Sequence, residues 1–417
     1  MKISKIAETR LRKYAGSHRG FRLFARWSLC NYRKFRYERN GRGIKMQEKA
    51  VFFLAFKGKS YSCSPKAIYE YMLNAPEYKD YKLIWGFIRP EDHKYLLNNR
   101  NTYIVKADSK EMDICLHEAK YWITNYRFED HIVPTEEQVY VQCWHGTPLK
   151  KLGYDLKHSD NAMNSSSEIW SKYKVDAARF KYIISPSAFA SEKFRSAWNL
   201  KEAGKTKAVL EVGYPRNDML MNCTEEERQQ IIKRLSIDAR GRKVILYAPT
   251  WRDNQYDPSS AGYTYDLKLD LEKMRDMLSD DYVMIFRMHY LIANSIDYDK
   301  YKGFIYDFSD YDDINHLYLA SDMLITDYSS VFFDYANLKR PMLFYMYDLE
   351  EYRDDIRGFY FDIDELPGEI ITDENRLIEA IKEGGTEYDD KYRKFNSKYN
   401  YLDDGNAAKR AAEAIFT

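Results

Sequence analysis

The strongest candidate for chemistry is a histidine that directly follows a predicted strand. Residues 139–143 form a short apolar run, His145 and Gly146 follow it, and Lys150 and Lys151 come a few positions later. An imidazole at a strand end can act as a general base, glycine permits close backbone approach, and lysines attract anions. The alternative is a histidine that only closes a strand in a polar loop, and the adjoining Gly-Thr-Pro-Leu-Lys-Lys run disfavours it. We expect His145 to be catalytic, with Gly146 and Lys150 binding phosphate.

A second histidine lies at the end of another predicted strand, residues 283–287. Arg287 and His289 alternate with apolar residues there, so in an extended segment they point to the same side. Together they could hold a diphosphate or protonate a leaving group. Taken alone, this pair fits a structural role better than a functional one.

A run of small polar residues follows the predicted strand at residues 323–326. Thr326, Asp327, Ser329 and Ser330 stand at the expected start of a helix. Free backbone N–H groups and the helix dipole can bind an anion at such a position. Plain N-capping would explain one serine but not the whole run, so we expect a phosphate site here.

Further cations follow predicted strand ends. Arg216 lies in the loop at residues 213–218, and Thr250 and Arg252 follow the strand at residues 244–247. Each loop is common by itself. Arginines that converge on one cleft, however, fit a nucleotide diphosphate, because a guanidinium group can bond two phosphate oxygens at once.

The cysteines and remaining histidines do not predict a metal site. The five cysteines have no paired spacing and are odd in number, which indicates neither a disulfide framework nor zinc and suggests a reducing, cytosolic setting. The sequence requires no cofactor, and a role for a divalent cation stays open. The cysteines are Cys30, Cys63, Cys115, Cys143 and Cys223.

The candidate residues need a scaffold that brings strand ends together. From residue 47, short apolar runs alternate with helical stretches, which predicts parallel βαβ units in two series. A predicted helix with Thr224 as N-cap and Glu227 completing a capping box separates the series. We expect an α/β chain of two doubly wound, Rossmann-like domains, at residues 47–225 and 226–417, with ligands bound in the cleft between them.

The charge is divided unevenly along the chain. The formal net charge is +1, yet residues 1–46 hold 14 Lys/Arg and 2 acids, whereas the rest hold 51 bases and 62 acids. The total argues against a whole-molecule polycation. The longest apolar runs fall far short of the about 20 residues that cross a bilayer, and no secretory signal is recognisable.

The basic segment at residues 1–46 is predicted to form an amphipathic arm. On a helix, its arginines share one side and its aromatic rings the other, as in helices that lie in a membrane interface. Packing on the acidic body and nucleic-acid binding are weaker alternatives, and we expect an anionic membrane surface as the partner and no nucleic acid. The residues concerned are Arg19, Arg22, Arg26 and Arg33 on one side, and Phe21, Phe24, Tyr32 and Phe35 on the other, with Trp27 near the edge.

Over roughly residues 140 to 365, the ordered motifs resemble the CDP-glycerol glycerophosphotransferase family, whose members build teichoic acids and related phosphopolyol polymers. The motifs are Trp144-His145-Gly146-Thr147-Pro148-Leu149-Lys150, Ser185-Pro186-Ser187, Gly213-Tyr214-Pro215-Arg216-Asn217-Asp218, Tyr247-Ala248-Pro249-Thr250-Trp251-Arg252, Arg287-Met288-His289 and Thr326-Asp327-Tyr328-Ser329-Ser330, followed by Phe333-Asp334, Arg340-Pro341 and Arg357-Gly358-Phe359-Tyr360.

The resemblance implies a GT-B fold, with the acceptor on the N-terminal domain and the CDP-activated donor on the C-terminal domain. It implies that His145 takes the proton of an acceptor hydroxyl that attacks the β-phosphorus of CDP-glycerol, with CMP leaving. His289 and Arg287 would stabilise or protonate the phosphates, and Ser329, Ser330 and Arg252 would bind them. Such a site works by positioning and electrostatics.

The resemblance also implies a lipid-linked saccharide or polyol-phosphate acceptor and peripheral attachment to the cytoplasmic face of the cell membrane. CDP-ribitol stays open as the donor, because ribitol-phosphate transferases share these motifs, and chain length does not distinguish a primase from a polymerase. The alternatives are a GT-B glycosyltransferase that uses a nucleotide sugar and a non-enzymatic protein that binds anionic polymer.

Overall fold

A computed structural model describes residues 19–156, 166–250, 256–257, 262–263, 267–288, 296–350, 358–386 and 388–416. Within these ranges the chain forms two parallel β-sheets with helices on their faces, together with a two-stranded antiparallel ribbon, Tyr256–Asp257 with Gly262–Tyr263. The architecture confirms the predicted pair of Rossmann-like α/β domains.

The first sheet has seven parallel strands in the order β3-β2-β1-β4-β5-β6-β7. Its central strands are continuous apolar runs, and residues 50–55 are almost completely buried, as expected for a sheet covered by helices on both faces. The strands are β1 Gln47–Leu54, β2 Lys82–Phe87, β3 Thr102–Lys106, β4 Ala119–Thr124, β5 Val139–Gln142, β6 Tyr182–Ser185 and β7 Val209–Glu211.

The second sheet has six parallel strands. With the ribbon strands numbered β9 and β10, its order is β12-β11-β8-β13-β14-β15. The strands are β8 Lys243–Tyr247, β11 Tyr282–Phe286, β12 Ile305–Asp307, β13 Met323–Thr326, β14 Met342–Tyr345 and β15 Glu369–Ile371.

The helices that cover the sheets include the predicted helix Glu225–Leu235. Its capping box is confirmed, since the Thr224 side chain accepts from the Glu227 backbone and the Glu227 side chain accepts from that of Thr224. The other helices are Arg19–Gly41, Cys63–Asn74, Lys110–Glu118, Ser166–Arg179, Ala188–Ala197, Asp218–Asn222, Leu271–Leu278, Ile314–Ala320, Val331–Tyr335, Glu374–Lys382, Asp390–Tyr399 and Ala407–Ile415.

Each sheet reverses its strand order at one point, between β1 and β4 in the first and between β8 and β13 in the second. A crevice opens at the carboxyl ends of the strands at such a switch point, and ligands bind there in open α/β sheets. Phe56 and Asn125 follow the two strands of the first switch point, and Thr250 and Asp327 follow those of the second.

Buried ion pairs join the two halves of the chain. Lys66 Nζ lies 2.7 Å from Asp313 Oδ2, and Arg216 Nη2 lies 2.9 Å from Asp334 Oδ1, with all four side chains at most 9% exposed. A buried charge is tolerated only when it is paired and hydrogen-bonded. These pairs therefore favour one relative placement of the two sheets.

The last helix, Ala407–Ile415, packs on the first sheet rather than on the second. Ala411, Ala412 and Ile415 belong to the same buried cluster as Val51 and Tyr69. The sequence placed all of residues 226–417 in the second domain, and its division near residue 225 stays a prediction. The packing shows that the chain's end returns to the first domain.

The helix Arg19–Gly41 is attached to the body near its C-terminal end. Tyr37 is buried against His117, its carbonyl oxygen lies 3.1 Å from His117 Nε2, and Asn40 donates to Asp113 at 2.8 Å. Of the helices in the described ranges, none has the length and apolar character needed to cross a bilayer.

Candidate active site

His145 is placed by an abrupt turn after β5. Trp144 has φ 52°, a left-handed conformation that is strained for a bulky residue. Its indole packs edge-to-face on Trp198 at 4.9 Å, and its backbone N–H donates to Gln142 Oε1 at 2.9 Å. The turn and the anchored indole direct the next side chain, His145, into the cleft.

A hydrogen bond sets the tautomer of His145. Its Nδ1 lies 3.1 Å from the carbonyl oxygen of Asn125, which can only accept, so Nδ1 carries the proton and Nε2 keeps a free lone pair. Asn125 is itself fixed, because its Oδ1 accepts from the backbone N–H of Phe56 at 2.8 Å. The ring is therefore oriented as a base through Nε2.

The surroundings keep the imidazole neutral. Although His145 is exposed in the cleft, the protein packed around it disfavours the charged form and lowers the pKa of His145 to about 4. The charge of Arg216 acts in the same direction, and the hydrogen bond to Asn125 opposes both. At neutral pH the ring can accept a proton.

Four predicted site residues meet in one cavity between the domains. The cavity has a volume of about 180 Å³, and His145, Arg216, Arg287 and Ser330 are among its lining residues. Cys63, with φ 64° at the start of its helix, also lines it. The cavity combines a neutral base from the first domain with cations and a hydroxyl group, a set suited to a phosphate ester.

Gly146 permits a close approach between the loop that carries His145 and the loop that carries Ser330. A Cβ atom on Gly146 would lie 2.6 Å from Ser330 Oγ and 3.5 Å from Ser330 Cβ. Only a residue without a side chain leaves the Ser330 hydroxyl in its place. The predicted phosphate-binding motif thus lies directly beside the predicted base.

Both arginines in this cavity are held by protein partners. Arg216 stacks on the Tyr214 ring at 4.2 Å and is paired with Asp334, and Arg287 Nη1 donates to the carbonyl oxygens of Phe308 and Ser309, each at 2.8 Å. Burial lowers the pKa of Arg287. At Arg216 burial acts in the same direction, but Asp334, Cys63 and Tyr214 together outweigh it and raise the pKa. Both guanidinium groups are therefore fixed in place, beside the carboxylates of Asp312, Asp313 and Asp334, which line the same cavity.

The loop at residues 213–218 also has a structural function. Asn217 Nδ2 donates to Asp334 and Asp403, and Asp218 accepts from the backbone N–H groups of Ala407 and Ala408. These bonds hold the last helix at the junction of the domains. The motif joins elements around the cavity in addition to contributing Arg216.

Thr250, Thr326 and Asp327 lie at the switch point of the second sheet. The Thr326 hydroxyl donates to the carbonyl oxygen of Ala248 at 2.7 Å, and Asp327 Oδ1 accepts from the backbone N–H of Thr250 at 2.7 Å. These bonds fix the crevice in which a doubly wound domain binds its ligand. Ser329 is half-buried beside Ser330, whose helix, Val331–Tyr335, is only five residues long.

Lys150 belongs to a backbone ladder between the domains. It forms an isolated antiparallel bridge with Phe359, Lys151 N–H donates to the Gly358 carbonyl at 3.0 Å, and Tyr360 N–H donates to the Leu149 carbonyl at 2.9 Å. The ladder places the motif that contains His145 directly against the Gly358-Phe359-Tyr360 motif, which is distant in the sequence.

Two predicted site residues, His289 and Arg252, lie outside the described residues, as do the side chains of Arg19, Arg22 and Arg26 in the arm. Within the part of the chain that the structure describes, no group of three or more His, Cys, Asp or Glu side chains is arranged to hold a metal ion.

Sequence reasoning missed several residues of the site. Asn125 orients His145, and Asp313 is buried with Lys66 and lines the cavity. Asn125 could have been found, because it directly follows the apolar strand Ala119–Thr124. The pairing of Lys66 with Asp313 spans 247 positions and leaves no local sequence signal.

The comparisons with known proteins agree with this geometry. Residues 37–417 match the model of the CDP-glycerol:poly(glycerophosphate) glycerophosphotransferase family. The chain is 41% identical over 375 residues to a teichoic acid poly(glycerol phosphate) polymerase of Bacillus spizizenii, which covers 89% of this chain and 93% of that protein. It is 39% identical over 372 residues to a teichoic acid glycerol-phosphate transferase of Staphylococcus aureus, covering 88% and 92%.

A solved structure of the wall teichoic acid polymerase TagF, soaked with CDPG, superimposes with a TM-score of 0.82 at 35% identity, covering 97% of each chain. Together with the two sheets described above, this match confirms the GT-B fold expected from the sequence. The family match spans most of the chain, so this protein belongs to the CDP-glycerol:poly(glycerophosphate) glycerophosphotransferase family of teichoic acid biosynthesis and is a transferase.

Proposed function

We propose that this protein transfers glycerol phosphate from CDP-glycerol to a hydroxyl group of a lipid-linked acceptor and releases CMP. The observation that carries the proposal is the neutral His145, which is oriented by Asn125 and lines the interdomain cavity with Arg216, Arg287 and Ser330. The family match and the CDPG soak of TagF support the choice of donor.

In the proposed reaction, His145 Nε2 accepts the proton of the acceptor hydroxyl as its oxygen attacks the β-phosphorus of CDP-glycerol. The new P–O bond joins glycerol phosphate to the acceptor, and the bond between the β-phosphorus and the bridging oxygen breaks, so that CMP leaves. Arg216, Arg287 and Ser330 stabilise the phosphate charge that develops. Binding of an anionic donor raises the basicity of the imidazole during turnover.

A donor panel tests the proposal. The purified protein is incubated with CDP-glycerol, CDP-ribitol or a UDP-sugar together with a lipid-linked acceptor, and the released nucleotide is identified. We expect CMP from CDP-glycerol. CMP from CDP-ribitol alone would reassign the polyol, and UDP release would replace the proposal with a glycosyltransferase.

The His145→Ala variant tests the mechanism. Its turnover should fall to background, because removal of a general base costs about 10² to 10⁴-fold, while calorimetric binding of CDP-glycerol is retained. A variant that turns over at the wild-type rate would exclude His145 as the base.

We further propose that the helix Arg19–Gly41 holds the enzyme on the cytoplasmic face of the membrane. Its aromatic rings Phe24, Trp27, Tyr32 and Phe35 are each at least 55% exposed, which suits insertion among lipid headgroups. Arg33 is half-buried. Burial alone would raise the pKa of Glu129, but the charge of Lys57 and, to a smaller extent, that of Arg33 hold this pKa below its ordinary value. This arginine therefore lies toward the body.

A further inference from the structure

A buried carboxylate that the proposed reaction does not use lies behind the loop of His145. Asp176 belongs to the helix Ser166–Arg179 and is 2% exposed. Within the described part of the chain its side chain accepts hydrogen bonds from two neutral groups, the Trp198 indole at 3.0 Å and the Tyr140 hydroxyl at 3.4 Å. Burying a carboxylate without a directly bonded cation is costly, so a gain elsewhere must offset the cost.

One chain of hydrogen bonds runs from Asp176 to the backbone of the strained turn before His145. The Tyr140 hydroxyl donates to Asp176 Oδ1 and accepts from Gln142 Nε2 at 3.2 Å. Gln142 Oε1 in turn accepts from the Trp144 backbone N–H at 2.9 Å. Tyr140 and Gln142 are completely buried, so bulk water cannot replace a missing partner in this chain.

A second connection runs from Asp176 to the indole ring of Trp144. Asp176 Oδ2 accepts from Trp198 Nε1, and the Trp198 ring packs edge-to-face on the Trp144 ring at 4.9 Å. Trp144 has φ 52°, and a strained conformation of this kind persists only where the surrounding structure enforces it. The two connections hold Trp144 by its backbone and by its ring.

The chemistry of the partners dictates the direction of every bond in the first chain. A backbone N–H can only donate, so the Gln142 amide turns its oxygen to Trp144 and its NH₂ group to Tyr140. The Tyr140 oxygen therefore accepts one proton and must donate its own, and a carboxylate, which carries no proton, is the acceptor that fits. Burial and, after it, the charge of Asp176 raise the pKa of Tyr140, so the hydroxyl keeps the proton that it donates.

The position of Trp144 determines where the His145 ring can lie. The two residues are adjacent in the chain, and their rings lie 4.4 Å apart. His145 Nδ1 is 3.1 Å from the carbonyl oxygen of Asn125. A small rotation of the turn at Trp144 would lengthen this hydrogen bond and release the tautomer that it fixes.

We propose that Asp176 is the positioning residue of the base. By fixing Trp144 at its backbone and at its ring, it holds the His145 ring where Nδ1 bonds the Asn125 carbonyl and Nε2 keeps its lone pair for the acceptor hydroxyl. This inference rests on the proposed function and extends it by assigning a role to a residue behind the base. Asp176 itself takes no proton and forms no bond during the reaction.

Asp176→Asn tests the proposal with almost no change in volume. The new amide must turn its oxygen to the Trp198 N–H, so its NH₂ group faces Tyr140 and the Tyr140 proton loses its acceptor. We expect kcat to fall by about 10- to 100-fold, because a displacement of about 1 Å can cost about 10²-fold. KM for CDP-glycerol and for the acceptor should stay within about 2-fold, which separates a displaced base from a lost substrate contact.

Two further variants complete the kinetic test. Tyr140→Phe interrupts only the chain to the backbone, so it should lower kcat by a smaller factor, and it gives a second reading if Asp176→Asn does not fold. The double variant should lose no more than Asp176→Asn, because both changes act on one chain. Glu118→Gln is the matched control and should keep the wild-type kcat, since Glu118 accepts from Lys82 at 2.8 Å at the opposite end of β4 from Asn125. Multiplied losses, a change confined to KM, or the wild-type kcat in Asp176→Asn would overturn the inference.

A spectroscopic measurement on His145 does not depend on turnover. In protein labelled with ¹⁵N-histidine, the signals of His145 are identified by their absence from the spectrum of His145→Gln. The wild type should show the tautomer protonated at Nδ1, and Asp176→Asn should show a mixture of both tautomers. An unchanged tautomer in the variant would overturn the inference. Absence of CMP release by the wild type would instead refute the proposed function and leave this comparison valid.

Discussion

Gly146→Ala is the sharpest perturbation that the structure offers. The added Cβ would lie 2.6 Å from Ser330 Oγ, about 0.8 Å inside the 3.4 Å at which ordinary contact begins, whereas Ser330 Cβ at 3.5 Å needs no movement. Among the described residues other than its chain neighbours, no further atom lies within 3.4 Å, and the hydroxyl can leave by rotation about χ1. The clash therefore displaces a hydroxyl group and spares the fold.

The magnitude follows from what that hydroxyl does. Rotation to another staggered position costs about 1 kcal/mol or less, so the melting temperature should change little. If Ser330 Oγ binds a donor phosphate, its displacement forfeits a hydrogen bond to a charged group, worth about 1.5–3 kcal/mol, or roughly 10- to 150-fold in kcat/KM.

The assay is the release of CMP from CDP-glycerol by four proteins: wild type, Gly146→Ala, Ser330→Ala and the double variant. Gly146→Ala should lose about as much as Ser330→Ala, and the double variant should lose no more than Ser330→Ala, because the obstructed atom is already gone. Independent sites would instead show multiplied losses. Multiplied losses, or full activity of Gly146→Ala, would refute the proposed role of the contact.

Three further outcomes are expected. Because the surroundings of His145 lower its pKa to about 4, kcat/KM should stay level from pH 8 to about pH 5 and fall only near pH 4; a midpoint near 6.5 in the pH–rate profile would contradict this. Arg216→Ala should cost about 3–5 kcal/mol in urea unfolding by leaving Asp334 buried and unpaired, and a loss below 1 kcal/mol would argue against a structural pair. Replacing Trp27 and Phe35 by serine should reduce sedimentation with anionic vesicles while sparing activity on a soluble acceptor; unchanged sedimentation would dissociate the helix from membrane attachment.

Most of the fold could be predicted, because parallel strands buried on both faces are continuous apolar runs. Lys82–Phe87, Met323–Thr326 and Met342–Tyr345 are strands of this kind, and the strand at residues 323–326 has the predicted bounds. Val209–Glu211 and Glu369–Ile371, by contrast, are three-residue strands at the sheet edges, and only Ile371 among their residues is buried. Edge strands of this length lack the hydrophobic pattern on which the prediction depends.

The site could be predicted only as far as single loops allow. His145 follows its strand and Ser330 begins its helix, so strand–loop reasoning found both. The partners that constrain the site residues come from distant parts of the chain. Asn125, which orients His145, lies at the end of another strand, and Asp334 pairs with Arg216 across 118 positions. No local pattern indicates that Arg216 is held by a carboxylate.

The distribution of constraints fits the chemistry of phosphoryl transfer, in which the protein contributes mainly position and electrostatic stabilisation. The pair Arg216–Asp334, the ladder between Lys150 and Phe359 and the contact of Gly146 with Ser330 all cross the boundary between the domains. Each joins an element near the base to an element that carries predicted phosphate contacts. These contacts fix the distance between the proposed base and the predicted phosphate-binding groups, so in the proposed mechanism binding energy need not be used to assemble the site.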